Sequence, residues 1–299
     1  MTPHSTPPWR HLLLALAVVA VWGTNFVVIK LALAHLPPLL FAALRFALAF
    51  FPAVLLLPRP AVSWRNLAAY GVLIGVGQFG VLYLAMKGNI SPGLASLVIQ
   101  TQVFFTIVLA MRVARERVQP YQWLALALAA AGIGVIAAHT DGDTTVLGLL
   151  MVLGAAFCWA CANMVSKRAG SVNMLSYVVW SSITAVPPLV VLSLLFEGWP
   201  AIEAGLRSAD ALTWWAVAWQ AFGNTLFGYA AWGWLLSRHP AASITPMALL
   251  VPVFGMAAAS VMLAEPLPGW KLGAAALVLC GLALNMLWPR LKALLASRG

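Results

Sequence analysis

Ten apolar stretches of about 20 residues run along this chain, separated by short polar or turn-forming segments. The hydrocarbon core of a bilayer is about 30 Å thick and about 20 residues of α-helix cross it, so each stretch predicts a membrane-spanning helix. Numbered 1 to 10 in chain order, the predicted spans cover residues 12–33, 38–57, 66–86, 92–111, 121–138, 146–166, 174–196, 213–236, 241–263 and 270–288. Turn-forming residues such as Leu36-Pro37-Pro38 and Asp141-Gly142-Asp143 mark the breaks. The pattern therefore predicts an all-α membrane protein.

The composition agrees with lipid as the solvent. Of the 299 residues, 63% are hydrophobic and 8% are charged, whereas a soluble domain has about 25% charged residues. In a soluble protein, the net charge of +10 would suggest a nucleic-acid partner. Here the basic residues lie at the ends of the predicted spans. We therefore predict the lipid bilayer, and no nucleic acid, as a partner.

The basic residues also predict the topology. With the N-terminus in the cytoplasm, twelve of the 17 Lys and Arg residues fall on the cytoplasmic side and four on the outer side, and Arg45 lies within span 2. The positive-inside rule therefore favours a multi-pass protein with both termini in the cytoplasm. The first apolar run, after Arg10, resembles a signal peptide. Because it continues past Trp22 to about Leu33, which is long enough to cross the bilayer, we predict that it is span 1.

Candidates for catalysis or metal binding are scarce in the sequence. Cys158 and Cys161 form a CxxC pair without a histidine or a second pair, so we interpret them and Cys280 as packing residues. No Asp, Glu or His lies at mid-membrane depth. An intramembrane enzyme needs a nucleophile–base pair or metal ligands there, and a proton-driven exporter usually has a titratable group there. We therefore predict a protein without catalytic residues, cofactor or metal, and efflux that is facilitated or weakly coupled.

The two halves of the chain resemble each other. Two pairs of motifs match at identical spacing: Trp22 to Lys30 with Trp159 to Lys167, and Phe105 to Glu116 with Phe254 to Glu265. The predicted repeats cover residues 12–138 and 146–288, and each contains five spans, so the second is inverted in the membrane. Inverted repeats are typical of secondary transporters, whose substrate site lies near the bilayer midplane and opens alternately to each side.

Four motifs carry a family resemblance: WGTNF at 22–26, FAALRF at 41–46, Glu116-Arg117, and the stretch from Pro252 to Glu265. They resemble the EamA domain, which occurs twice in many members of the drug/metabolite transporter superfamily. Within that superfamily, three longer stretches resemble the bacterial inner-membrane exporters of O-acetylserine and cysteine: 92–106, 155–163 and 228–236. The resemblance implies export of cysteine-pathway amino acids, with aromatic amino acids or drug-like compounds as the alternative. One departure is Pro266, where family members often carry arginine.

A zwitterionic amino acid needs hydrogen-bond donors for its carboxylate and acceptors for its ammonium group, which aromatic faces also attract. Polar and aromatic residues near the span centres are therefore the candidates for substrate binding: Trp22, Asn25, Gln78, Ser96, Gln100, Trp159, Asn163, Asn224, Tyr229 and Trp232. The alternative for amides such as Asn25 is packing between helices. Gln100 and Gln102 are about 200° apart on a helix and cannot face one cavity. Gln100, which shares a face with Ser96, is preferred for the substrate, and Gln102 for a bond between helices.

Three residues are candidates for structural or gating roles: Arg45, Gln102 and Pro252. A charge within a span costs about 2.5–3.5 kcal/mol on the insertion scale, so Arg45 should face protein or water. It either binds a substrate carboxylate or ties span 2 to carbonyls at the end of span 1. The second role is preferred because Arg45 lies towards the outer end of its span and the matched position of the other repeat holds Trp180. Pro252, within span 9, removes a helical hydrogen bond, which predicts a freed acceptor, a hinge or a static kink.

Overall fold

The structure is a computed structural model that describes residues 7–114, 119–140 and 144–296. Regular secondary structure within these ranges is entirely helical. The spans are Trp9–Ala32; Pro38–Phe50; Trp64–Gly88; Pro92–Val98 with Ile99–Thr101 and Gln102–Ala114; Pro120–Ala138; Val146–Arg168; Met174–Leu192 with Ser193–Glu197; Ala211–Ala218 with Trp219–Phe227 and Gly228–Arg238; Ala241–Ile244 with Thr245–Leu250 and Val251–Leu263; and Gly269–Ala296. A further helix, Gly198–Ser208, lies between spans 7 and 8. The motif Glu116-Arg117 and the turn residues 141–143 lie outside the described residues.

Length and hydropathy identify nine membrane-spanning helices within the described ranges. The predicted eighth span is helical from Ala211 to Arg238 but is not one of the nine. Five tryptophans together with Gln220 and Asn224 make it less apolar than the others. The predicted all-helical membrane class is confirmed, and the count of ten depends on this polar helix.

Proline and capping side chains determine where several spans begin. Pro38 and Pro92 lie in the first turn of spans 2 and 4, where a missing N–H has no helical partner to lose. Asp210 caps span 8, because its carboxylate accepts hydrogen bonds from the hydroxyl and the backbone N–H of Thr213 at 2.7 and 2.8 Å. These bonds favour the ionised form and hold the pKa of Asp210 below its usual value.

The packing of the spans is symmetric between the two halves. When each span of a packed pair is replaced by its counterpart in the other half, the resulting pair is also packed. Span 2 packs against span 7, and span 5 against span 10, so each pair joins equivalent members of the two halves. Span 1 packs against spans 8 and 9, and span 6 correspondingly packs against spans 3 and 4. A pseudo-two-fold relation between inverted halves produces this pattern. Spans 1, 3, 4, 6, 8 and 9 therefore meet at the interface between the halves.

Two glycines at matched repeat positions allow spans 5 and 10 to approach closely. A Cβ atom at Gly132 would lie 2.7 Å from Cγ2 of Val278, and one at Gly281 would lie 2.7 Å from the carbonyl oxygen of Ala125. Both distances are too short for a carbon atom. A side chain at either position would therefore push the two helices apart.

Replacing Gly281 with alanine is expected to destabilise the protein, because overpacking costs about 1–3 kcal/mol. Gly273 lies in the same span with nothing within 4 Å of an added Cβ, so Gly273→Ala is the matched control. That change should slightly stabilise the protein, because glycine within a helix costs about 0.5–1 kcal/mol relative to alanine. Thermal unfolding in detergent measures both effects. Equal shifts in the two variants would contradict the close approach at Gly281.

Candidate functional site

Five buried side chains form one hydrogen-bonded network between the halves, which we call the central network: Asn25, Arg45, Tyr83, Gln220 and Thr225. The Gln220 amide donates to Oδ1 of Asn25 at 2.7 Å, and the Tyr83 hydroxyl donates to Oε1 of Gln220 at 3.1 Å. Arg45 donates through Nη1 to the Tyr83 oxygen at 2.9 Å and through Nη2 to the Thr225 hydroxyl at 2.8 Å. None of the five is more than 3% exposed. The network joins spans 1, 2 and 3 of the first half to span 8 of the second.

Local helix geometry places the members of the network on span 8. Residues Trp219–Phe227 form a π-helix, in which the Thr225 hydroxyl donates to the carbonyl of Gln220 at 2.9 Å. Span 3 also contains a π-helical segment, Leu73–Gly80, just before Tyr83. π-Helical turns interrupt the regular hydrogen-bond ladder and occur frequently at functional sites. Spans 3 and 8 are equivalent in the repeats, so the same distortion occurs on both sides of the interface.

Arg45 carries a positive charge that no acid in the described part of the chain neutralises. No carboxylate oxygen there lies within 4.0 Å of its guanidinium group. The guanidinium carbon lies 3.9 Å from the ring centroid of Phe79 and 4.9 Å from that of Phe46. Its Nε atom is buried and has no hydrogen-bond partner among the described residues. Since arginine stays charged in proteins, the hydrogen bonds and ring contacts of this full positive charge among the described residues are to neutral hydroxyls and aromatic faces.

Three aromatic side chains form a second group, the aromatic cluster: Trp22, Tyr229 and Trp232. The ring of Trp22 lies 5.2 Å from that of Trp232 and 6.0 Å from that of Tyr229, between centroids. Its indole N–H donates to the backbone carbonyl of Asn224 at 3.1 Å. Trp22 is one helical turn from Asn25 in span 1, so the cluster lies next to the central network. Its three side chains are half-buried, in contrast to the fully buried network.

An amide pair links the halves at a second point. The Asn163 amide of span 6 donates to Oε1 of Gln102 in span 4 at 2.9 Å and to the Thr106 hydroxyl at 3.3 Å. All three side chains are half-buried. Hydrogen bonds of this kind between membrane helices stabilise packing by about 0.6 kcal/mol on average. The pair therefore contributes to holding spans 4 and 6 together.

A buried carboxylate connects the halves at the end of the bundle that carries Glu197, Asp210 and Glu265, which we call the acidic end. Oε1 of Glu265 accepts from the Ser91 hydroxyl at 2.5 Å and from Nζ of Lys271 at 3.1 Å, and Oε2 accepts from the backbone N–H of Gly93 at 3.0 Å. Glu265 and Lys271 are both buried. The carboxylate of the second half thus binds the start of span 4 in the first half, where the helix dipole favours negative charge.

Glu197 makes the same kind of connection at the acidic end. Its two carboxylate oxygens accept from the backbone N–H groups of Leu39 at 2.6 Å and Leu40 at 3.1 Å. These groups belong to the first turn of span 2 and have no partner within their own helix. Two acids of the second half therefore cap two helices of the first half at this end.

Comparison with known proteins shows the family. The profile of the EamA-like transporter family matches residues 9–138 and 146–287. The chain belongs to the EamA-like transporter family. Curated relatives from Salmonella typhimurium and Escherichia coli, each named a probable amino-acid metabolite efflux pump, are 43% identical over 285 residues and 40% identical over 279 residues. These matches cover 93% and 91% of this chain, and 95% and 93% of the relatives.

A solved crystal structure agrees with the fold of this EamA-like transporter. It aligns with a TM-score of 0.61 at 19% identity and covers 95% of this chain and 98% of that chain. At this identity the likeness shows the fold alone. The family match confirms the resemblance that the WGTNF and FAALRF motifs predicted.

The predicted site residues of this EamA-like transporter lie in several places. Asn25 belongs to the central network, Trp22, Tyr229 and Trp232 form the aromatic cluster, and Asn163 pairs with Gln102. Asn224 is buried and accepts from Trp22 through its backbone carbonyl. Trp159 is half-buried and packs against the main apolar core.

The remaining three predicted binding residues, Ser96, Gln78 and Gln100, also lie outside the central network. Ser96 is fully buried, donates to the carbonyl of Gly93 at 2.7 Å, and lies where Gly255 of span 9 crosses span 4. It packs two helices together, because only a small side chain fits opposite a glycine contact. Gln78 is buried without a hydrogen-bond partner among the residues described. Gln100 is half-buried in the 3-10 turn Ile99–Thr101.

Two predicted structural roles need correction. Arg45 bonds Tyr83 and Thr225 rather than carbonyls at the end of span 1, because its side chain lies on the face of span 2 that packs against spans 3 and 8. Pro252 lies in the first turn of the α-helix Val251–Leu263, after a 3-10 segment. A first-turn N–H has no partner within its α-helix, so the proline does not break an α-helix in its middle.

Sequence reasoning missed three members of the central network. Gln220 had a detectable signal, since it is an amide in an apolar span, four residues before Asn224 on a regular helix. Tyr83 and Thr225 had none, because tyrosine and threonine occur in spans for packing alone.

Proposed function

We propose that this transporter exports amino-acid-like metabolites from the cytoplasm across the bacterial inner membrane by alternating access. Cysteine and O-acetylserine are the leading substrates, and aromatic amino acids are the alternative. The Salmonella and Escherichia coli relatives are each named a probable amino-acid metabolite efflux pump, which supports this class of substrate. Both termini face the cytoplasm and the acidic end faces outward, in agreement with the asymmetry of Lys and Arg.

The central network is the observation that carries the proposal. It brings donors from Arg45 and Tyr83 together with the amide oxygens of Asn25 and Gln220 at the interface between the halves. A zwitterion requires both donors and acceptors, and its ammonium group is attracted to aromatic faces such as those of the adjoining aromatic cluster. Polar side chains of this kind within the membrane mark the path of a polar substrate.

The acidic end supports alternating access. Glu265 and Glu197 of the second half hold the starts of spans 4 and 2 of the first half. These contacts close the interface at the outer end of the bundle. Substrate release to the outside then requires the halves to separate there, which is the rocking motion of transporters built from inverted repeats.

Efflux from liposomes tests the proposed function. Liposomes containing the purified protein are loaded with labelled cysteine, O-acetylserine or phenylalanine, and release is timed with and without a pH gradient. We expect cysteine and O-acetylserine to leave faster than from protein-free liposomes, at rates that the gradient changes little. Faster release of phenylalanine alone would favour the aromatic alternative. Release of all three at the protein-free rate would contradict the proposal.

Replacing Trp22 with leucine is expected to reduce efflux several-fold, because the change removes the indole donor to Asn224 and the ring that contacts Trp232. Trp123 of span 5 is 56% exposed in the bundle and lies on its outer surface, so Trp123→Leu is the matched control and should transport normally. The initial rate of release per inserted protein measures both. A normal efflux rate for Trp22→Leu would show that the aromatic cluster is not part of the substrate site.

A further inference from the structure

We propose that Arg45 binds the carboxylate group of the exported amino acid. This inference rests on the proposed function, because that function supplies the ligand. It assigns the negatively charged end of the substrate to one residue of the central network. A substrate without a carboxylate, such as the corresponding carboxamide, is then a poor one.

The charge of Arg45 favours an anionic ligand. Two cations are buried among the described residues, Arg45 and Lys271. Lys271 has a carboxylate partner, Glu265, at 3.1 Å. Arg45 has no carboxylate partner in the described part of the chain, although it is the more deeply buried of the two. A buried charge is stable when it is paired, so the site around Arg45 favours an anion.

Arg45 also has hydrogen-bonding capacity that its present partners do not use. The guanidinium group uses Nη1 and Nη2 on neutral hydroxyls and leaves Nε without a partner in the described structure. A carboxylate accepts two parallel N–H bonds from such a group, and these charge-assisted bonds are about twice as strong as neutral ones. The present partners are therefore weaker than the ones a substrate carboxylate would provide.

The present partners of Arg45 can adapt to a bound carboxylate. The hydroxyls of Tyr83 and Thr225 accept from Arg45 and donate to Gln220. A hydroxyl both donates and accepts, so each can turn its O–H towards a bound carboxylate without leaving the network. The faces of Phe79 and Phe46 hold the guanidinium group in place meanwhile. The amide oxygens of Asn25 and Gln220 remain as acceptors for the ammonium group.

Competition between an amino acid and its carboxamide tests the assignment. Liposomes carrying wild-type protein exchange labelled cysteine against an excess of unlabelled cysteine or cysteinamide. We expect cysteine to compete about 10- to 100-fold better than cysteinamide, the ratio that a hydrogen-bonded charge pair provides. In Arg45→Gln the ratio should fall to about one, because both ligands then meet a neutral side chain. Arg59→Gln, which removes an exposed arginine, is the control and should keep the wild-type ratio.

Three outcomes bear on the assignment. An Arg45→Gln variant that transports cysteine with the wild-type preference would show that Arg45 is structural and would overturn the proposal, while leaving the export function intact. Wild-type protein that exchanges neither ligand would overturn the export function itself and, with it, this proposal. If Arg45→Gln does not fold, the same competition is measured with Arg45→Lys. This variant keeps the positive charge but loses the planar fork of N–H donors of the guanidinium group. An unchanged preference in that variant would contradict binding through the fork, and a reduced preference would support it.

Discussion

Replacing Gln220 with leucine is expected to slow efflux about tenfold or more, because the change leaves two buried groups of the central network without a partner. Asn25 loses the amide that donates to its Oδ1 atom, and Tyr83 loses the oxygen that accepts its hydroxyl. Interhelical hydrogen bonds in membranes contribute about 0.6 kcal/mol each to stability. The loss of stability should therefore be only about 1 kcal/mol, and transport should be affected far more than folding.

Gln78 provides a matched control for this experiment. It is also a buried glutamine, 4% exposed against 0% for Gln220, in the matched span of the other repeat, and it has no hydrogen-bond partner among the described residues. Gln78→Leu should therefore leave no partner unsatisfied and should transport better than Gln220→Leu. Asn25→Leu combined with Gln220→Leu should be less harmful than the two separate effects together, because the double change removes both members of the pair. Equal rates for Gln78→Leu and Gln220→Leu, or fully additive effects, would contradict the role of the network.

The fold could be predicted because lipid is the solvent, and a chain in lipid must form apolar helices long enough to cross the bilayer. The lengths of the apolar runs predict spans whose observed ends agree within a few residues for most of the chain, as in Val146–Arg168 against 146–166. The matched motifs at Trp22 and Trp159 predict the pairing of the halves. Hydropathy was weakest at span 8, whose tryptophans and amides reduce its apolar character. Span 8 is also the span through which the second half of the chain contributes to the central network.

The side-chain partners were harder to predict, because a face assignment assumes a regular α-helix. The π-helical segments in spans 3 and 8 and the 3-10 turn in span 4 change the rotation per residue, so positions three or four apart no longer share a face. A regular helical spacing places Gln100 on the face of Ser96, but the turn Ile99–Thr101 interrupts that spacing. The sequence predicts the nearest helix end as the partner of Arg45, but its long side chain reaches spans 3 and 8 instead.

Removing the carboxylate of Glu265 should destabilise the protein strongly. In Glu265→Ala, Lys271 remains buried without its partner, and the N–H of Gly93 and the hydroxyl of Ser91 lose their acceptor. Removing one member of a buried ion pair costs about 3–5 kcal/mol, because the other charge is left unpaired. A clear fall in the thermal unfolding temperature in detergent is expected.

Glu203 is the matched control, because its bond to Arg207 at 2.6 Å is an exposed pair on the helix between spans 7 and 8. Exposed pairs of this kind contribute about 0.3–0.5 kcal/mol, so Glu203→Ala should unfold close to the wild-type temperature. Changing both Glu265 and Lys271 to methionine removes the unpaired charge and should restore part of the stability, since buried ion pairs can often be replaced by apolar side chains. The Gly93 N–H would still lack its acceptor, so recovery should be incomplete. A double variant no more stable than Glu265→Ala would show that the acidic end depends on the bonds to span 4 and not on the charge of Lys271.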